Sequence, residues 1–249
     1  MQKGEIGLRK LFVEKVLSDR LVLDGAQSAH LAGSLRMRAG DMVTVCDGSG
    51  TDYGCRIVSV SPAVELEVCY RQASGSEPPV KLFIYQAVPK GDKLATVVRM
   101  CTELGASGFV PVLSARCVSR PDAKSAAKKA ERLQKVALEA AQQSGRGIVP
   151  QVEPFTPFAT AVRACTADKK IIFYEGGGAG LGELLGGRLE SCAVLIGPEG
   201  GFAPEEVALA ESCGFLRATL GPRILRTETA PVCAASVVMH LTGGMEASP

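Results

Sequence analysis

The spacing of apolar positions along this chain changes character once. Over residues 7–70 they come in short runs broken by turn signals, which predicts strands at 10–17, 21–23, 41–46, 55–59 and 65–70. A turn falls at Asp47-Gly48-Ser49-Gly50 and one short helix at about 26–35. Alternation in Glu65-Leu66-Glu67-Val68 favours antiparallel strands with one wet face, hence a small β-barrel-like domain. Residues 72–79 are small, polar and proline-rich, the composition of a connection, so the domains are expected at 1–74 and 75–249. Beyond that, strands alternate with helices. Strands are predicted at 80–88, 109–113, 169–174, 192–196 and 215–220, and helices at 93–104, 124–144, 158–165, 204–212 and 231–241. Such alternation implies an α/β domain with a mainly parallel sheet covered on both faces.

Composition narrows the class. With 249 residues, 46% apolar and 22% charged, the chain is expected to fold as a globular protein. No apolar run is long enough to span a bilayer, and the first ten residues are polar, so a soluble, cytoplasmic protein without a signal peptide is expected. Nine cysteines without a C-x-x-C pair suggest neither disulfides nor a metal site. The net charge of +2 hides a gradient. Residues 76–150 carry twelve basic and six acidic side chains, and residues 151–249 carry seven and eleven. A polyanion could therefore be held by the middle third.

Two strand-to-helix loops stand out. Leu195-Ile196-Gly197-Pro198-Glu199-Gly200-Gly201-Phe202 leads into a helix at Pro204, and Leu220-Gly221-Pro222-Arg223-Ile224-Leu225-Arg226-Thr227-Glu228-Thr229-Ala230 leads into another. At the carboxyl ends of parallel strands such loops form ligand sites, and the glycines let a flat ligand approach the backbone. One glycine-proline turn is ordinary punctuation; two on successive strands, the second carrying charge beside apolar residues, read as a site. Glu175 to Gly182 looks like a dinucleotide-binding loop but fits G-x-G-x-x-G in no register, so it reads as a flexible loop. His30 and His240, the two histidines, read as packing or surface residues.

These loops resemble those of the bacterial 16S ribosomal RNA (uracil-N3)-methyltransferases, of the SPOUT class. Weaker likenesses lie at Arg9-Lys10-Leu11-Phe12, Leu35-Arg36-Met37-Arg38, Lys90-Gly91-Asp92-Lys93, Thr102-Glu103-Leu104-Gly105, Ala115-Arg116-Cys117 and Gln142-Gln143-Ser144-Gly145-Arg146. Residues 176–187 are more glycine-rich than the family pattern, and Pro231 stands in a helix start. The resemblance implies a PUA-like RNA-binding barrel, a SPOUT domain with a trefoil knot, and a homodimer without metal that acts on 16S rRNA in the small ribosomal subunit. It further implies S-adenosylmethionine held by Leu195, Gly197, Gly201, Leu220, Gly221, Ile224 and Leu225, with Thr229 and Ala230 closing the pocket.

On that resemblance Arg226 stabilises the uracil anion, and Glu199 or Glu228 accepts the N3 proton or orients Arg226. Arg9, Lys10, Arg36, Arg38, Lys90, Lys93, Arg116 and Arg146 are the expected phosphate contacts, with the helix stripe from Lys124 to Lys135 in addition. Rival readings are a non-catalytic RNA-binding or ribosome-assembly protein that kept the fold, and an enzyme that uses the Glu175 loop.

Overall fold

The computed structural model describes residues 10–13, 16, 18–187 and 189–246. The chain divides into two compact units, Met1–Glu77 with Gln142–Ile148, and Pro78–Ala141 with Val149–Pro249.

The first unit contains β1 (Leu11–Phe12), β2 (Arg20–Val22), α1 (Gly25–Ser28) running into a wider turn at Ala29–Ser34, β3 (Met42–Cys46), β4 (Thr51–Ser59) and β5 (Glu65–Ala73). They form one sheet in the order β1-β3-β4-β5-β2, and its ends do not pair, so it is a curled half-barrel. β1 lies parallel to β3, whereas the other pairs are antiparallel as the alternation predicts. Leu31, Val43, Val45, Ile57 and Leu66 fill its core. β4 begins four residues before the predicted strand. The cause is Asp52, which reads as a turn residue but is buried and paired at 2.8 Å with Lys10, forty-two positions away in the chain.

The second unit holds β6 (Lys81–Ala87), α2 (Lys93–Glu103), β7 (Gly108–Leu113), α3 (Ala123–Ser144), β8 (Gln151–Val152), β9 (Thr156–Pro157), α4 (Phe158–Ala164) and β10 (Lys169–Phe173). After these come β11 (Ala179–Gly180), α5 (Leu181–Leu184), β12 (Ser191–Ile196), α6 (Pro204–Ser212), β13 (Leu216–Thr219) and α7 (Thr229–Leu241). All its strand pairs are parallel, in the order β11-β13-β10-β12-β6-β7-β8, with β9 also on β7. The last residues of α3 belong to the first unit by their contacts.

Alternation along each strand sorts side chains to the two faces. Cys192, Val194 and Ile196 of β12 join Leu82, Ile84, Val97, Ala235 and Val238 in one core layer. Ala193 and Leu195 point the other way, onto Phe158, Val162, Val207 and Ala210. All nine cysteines are free, and burial pushes the Cys192 thiol up to about 12, so it acts as a small packing residue. No described helix is long and apolar enough to cross a membrane. Replacing the fully buried Ile84 with Ala should lower the unfolding free energy by about 2–5 kcal/mol, read as a lower urea midpoint.

Candidate active site

Strand order decides which loops meet. β10 lies between β12 and β13, so the loops that leave these three strands open side by side at one sheet edge. After β12 the chain reverses: the Gly201 N–H donates to the Pro198 carbonyl at 2.9 Å, and Gly201 takes φ +66°. A Cβ on Gly197 would stand 3.1 Å from Gly201 Cα, so the two arms of this turn lie against each other. The turn ends where Glu206 accepts the Ala203 N–H at 3.0 Å and Pro204 opens α6.

After β13, residues 220–228 run to α7, whose first turn begins with the Arg226 carbonyl accepting from the N–H groups of Thr229 and Ala230, both at 2.9 Å. Pro231 fits there because a first-turn residue needs no N–H partner. Thr227 is buried. Its hydroxyl donates to the Gly197 carbonyl at 2.8 Å, and the Gln86 amide on β6 donates to the Thr227 hydroxyl at 3.1 Å and to Gly197 O at 3.3 Å. The two glycine-proline loops are thus joined through one carbonyl.

The loop after β10, Glu175 to Gly182, which reads from sequence as a flexible loop, is held against the sheet. A Cβ on Gly178 would meet the backbone of Ala218 at 2.6 Å, so this loop is pressed onto β13, and β11 continues the contact by pairing with β13. Glu175 and Gly177 line the same cavity as the other two loops. The Glu175 carboxylate lies 3.4 Å from where a Gly201 Cβ would be, and among the described residues it has no ion pair.

The cavity holds about 720 Å³, within the ordinary range for a small-molecule site. Of the expected cofactor residues, Gly197, Gly201, Leu220, Gly221, Ile224, Leu225 and Ala230 line it, and so do Arg226 and Glu199. Leu195 does not: its side chain is enclosed in the opposite core layer, so it has only backbone to offer. Thr229 is exposed at the start of α7 and Glu228 stands beside the cavity, neither of them lining it. Phe173, Tyr174, Glu175, Ile196 and Lys93 line it without having been anticipated as pocket residues. Only the strand order could have revealed the first three. An apolar floor, backbone groups at strand ends and one unpaired carboxylate suit a flat base joined to a polar, cationic tail.

Lys93 was expected on phosphate. Instead its ammonium lies 3.0 Å from Glu199 Oε1 and 3.2 Å from Glu228 Oε2. Burial pushes the Glu199 carboxyl up, but its own N–H, Lys93 and the Lys90 N–H outweigh this and hold it below the usual range. Glu228 is held low by its own backbone N–H, then by Lys93 and Arg226. The two carboxylates raise Lys93 in turn.

The other expected phosphate contacts divide. Arg9 lies outside the described residues. Lys10 is enclosed between Asp52 and Ser74, and Arg146 is 3% exposed and paired with Glu77 at 2.6 Å, so both charges hold the first unit together and neither faces solvent as anticipated. Arg116 donates to the Gly200 carbonyl at 2.8 Å and braces the first loop. Arg36, Arg38 and Lys90 are exposed and make no side-chain ion pair among the described residues. The described residues contain no cluster able to hold a metal ion.

Thr227→Val removes the hydroxyl between the loops and should lower stability by about 1–3 kcal/mol, measured by urea unfolding. Gly178→Val should abolish S-adenosylmethionine binding in calorimetry by displacing β13, while Gly180→Val, with open space around it, should leave binding in place. Loss of binding in the Gly180 variant would restore the rival reading in which this loop itself carries the cofactor.

A family model described as an RNA methyltransferase domain matches residues 76–239, and one described as an RNA methyltransferase PUA domain matches residues 23–69. The ribosomal RNA small subunit methyltransferase E of Bacillus subtilis is 36% identical over 251 residues, covering 97% of each chain. Its Synechocystis namesake is 32% identical over 235 residues, covering 92% of this chain and 75% of that one. A Neisseria gonorrhoeae ribosomal RNA small subunit methyltransferase E, solved bound to S-adenosylmethionine, superposes with a TM-score of 0.83 at 29% identity over 94% of this chain and 98% of that one. These matches bear out the resemblance drawn from the two loops: the chain belongs to the ribosomal RNA small subunit methyltransferase E family.

Proposed function

We propose that this protein transfers a methyl group from S-adenosylmethionine to N3 of a uridine in 16S rRNA of the small ribosomal subunit. The observation that carries the reading is the junction of the two glycine-proline loops, beside which Arg226 lines a cavity fit for the cofactor. Its relatives are named for ribosomal RNA methylation, and the Neisseria structure holds S-adenosylmethionine.

The backbone of Gly197, Gly201, Leu220 and Gly221 would hold the cofactor over Ile196, Leu225 and Ala230, with the Glu175 carboxylate accepting from its polar part. When bound, that group supplies a methyl on a sulfonium, a leaving group that needs little assistance. The protein's task is to position the base and make its nitrogen nucleophilic. N3 lies on the pairing edge, so the uridine enters unpaired or extruded. Arg226 keeps its proton and can donate two N–H groups to the uracil carbonyl oxygens, which stabilises the anion left when N3 loses its proton. Glu199 and Glu228, both held ionised, are weakened as bases. In this reading they orient charge around Arg226, and the N3 proton leaves to solvent.

Arg36, Arg38 and Lys90, with Lys124, Lys128 and Lys135 of the α3 stripe, are the expected cations left for phosphate. The exposed apolar residues Ile224, Leu241 and Met245 suit coverage by a second copy, and nine free thiols suit a cytoplasmic location.

Incubating small subunits that lack the modification with labelled S-adenosylmethionine should yield 3-methyluridine by nucleoside analysis. Arg226→Ala should abolish transfer with cofactor affinity retained. Cofactor-free rRNA binding without transfer would favour the non-catalytic alternative. The Arg36→Ala, Arg38→Ala double variant should lower the log–log salt slope of rRNA binding by about two, near one per phosphate contact. Arg146→Ala should instead lower thermal stability, because it removes the cation paired with the largely buried Glu77.

A further inference from the structure

Lys93 opens α2, where the helix dipole disfavours a cation, and no acidic side chain in that first turn compensates. What holds it is two carboxylates from two other loops. Glu199 stands two residues after Gly197 and also accepts the Lys90 N–H at 3.2 Å; Glu228 stands two residues after Arg226. The loops are therefore joined twice, on the inside through Thr227 and Gly197 and at the rim through the Lys93 ammonium. Arg226 immediately precedes both attachments in the chain.

We propose that Lys93 is a positioning residue, whose ammonium clamps Glu199 to Glu228 and so keeps Arg226 in register with the cofactor-binding turn. This rests on the methyl-transfer reading above. The pairs are partly exposed, with a quarter to a third of each side chain in solvent, and such pairs contribute little to global stability, so the clamp acts on local geometry. It also separates Lys93 from the phosphate-binding cations, since a charge already answered by two carboxylates has little left for RNA. No other carboxylate is bonded to its ammonium among the described residues: neighbouring Asp92 is paired with Arg132 at 2.9 Å, and the charge of Arg226 also helps hold Glu228 low.

The test compares Lys93→Met and Lys93→Arg with wild type in cofactor calorimetry, thermal unfolding, rRNA binding against salt, and single-turnover methylation against pH. Lys93→Met should keep its cofactor affinity, unfolding midpoint and salt slope. Its methylation rate should fall by up to about 10²-fold, the scale for a displacement near 1 Å. Lys93→Arg, which keeps the cation, should restore much of the rate. The acid limb should also change. With the ammonium present the carboxyls titrate below their ordinary value and the clamp persists until pH falls through that lowered range; Lys93→Met has no clamp to lose, so this component of the acid limb should be absent from it.

A salt slope lowered by about one with an unchanged rate would make Lys93 a phosphate contact and overturn the proposal. An unaltered rate, salt slope and acid limb would overturn it as well. If Lys93→Met is poorly folded, Lys93→Arg decides: a stable arginine variant without rate recovery counts against the clamp. Wild-type protein that neither binds the cofactor nor transfers a methyl would refute the function itself, an outcome visible before any variant is made.

Discussion

The carbonyl oxygen of Gly197 receives hydrogen bonds from Thr227 and from Gln86, and most of the site's geometry follows from that meeting. Each partner comes from a different element: a loop after β12, the approach to α7, and strand β6. Each is also distant in sequence, so no local preference would bring them together. Thr227 and Gln86 are buried, where polar groups left without partners are costly, and this makes the arrangement hard to exchange for another. Loops rich in glycine would otherwise sample many conformations. Here one carbonyl fixes the separation of the two walls of the cavity, and Arg226 is adjacent to one of the groups that fix it.

The sheet supplies the other constraint. Parallel strands end together, and their following loops must share the same edge. Because β10 lies between β12 and β13, its loop cannot avoid the cavity that the outer two enclose. The close packing of Gly178 on Ala218 makes that loop a wall. Glu175 then becomes the one carboxylate lining the cavity without a cation of its own among the described residues, whereas Glu199 is answered by Lys93.

The fold was largely legible because periodicity reports burial directly. The strands of the second unit alternate or run apolar as a sheet covered on both faces requires, and the glycine-proline loops announce themselves by composition. What stayed hidden depends on partners far apart in sequence. Asp52 reads as a turn residue until Lys10 is placed beside it, and the two-residue strands β8, β9 and β11 are too short to show a period. Leu195 belongs to a conspicuous motif, yet strand alternation turns its side chain into the core. Strand order itself leaves no local trace, and without it the Glu175 loop could not be assigned to the site.

Charge shows the same limit most clearly. The middle third of the chain has six more cations than anions, which suggests a surface for a polyanion. Folding distributes that excess to specific partners: Lys93 to Glu199 and Glu228 of the acidic last third, Arg132 to Asp92, Arg146 to Glu77, and Arg116 to the Gly200 carbonyl. A cation with a carboxylate at 3 Å attracts a phosphate less than a free one does, because the carboxylate repels the phosphate that the cation draws. Among the expected phosphate contacts that are described, Arg36 and Arg38 in the first unit and Lys90, Lys124, Lys128 and Lys135 in the second are exposed and in no ion pair. Charge counted along the chain therefore overstates the attraction for RNA wherever the fold places acids and bases together, as it does where Lys93 meets Glu199 and Glu228.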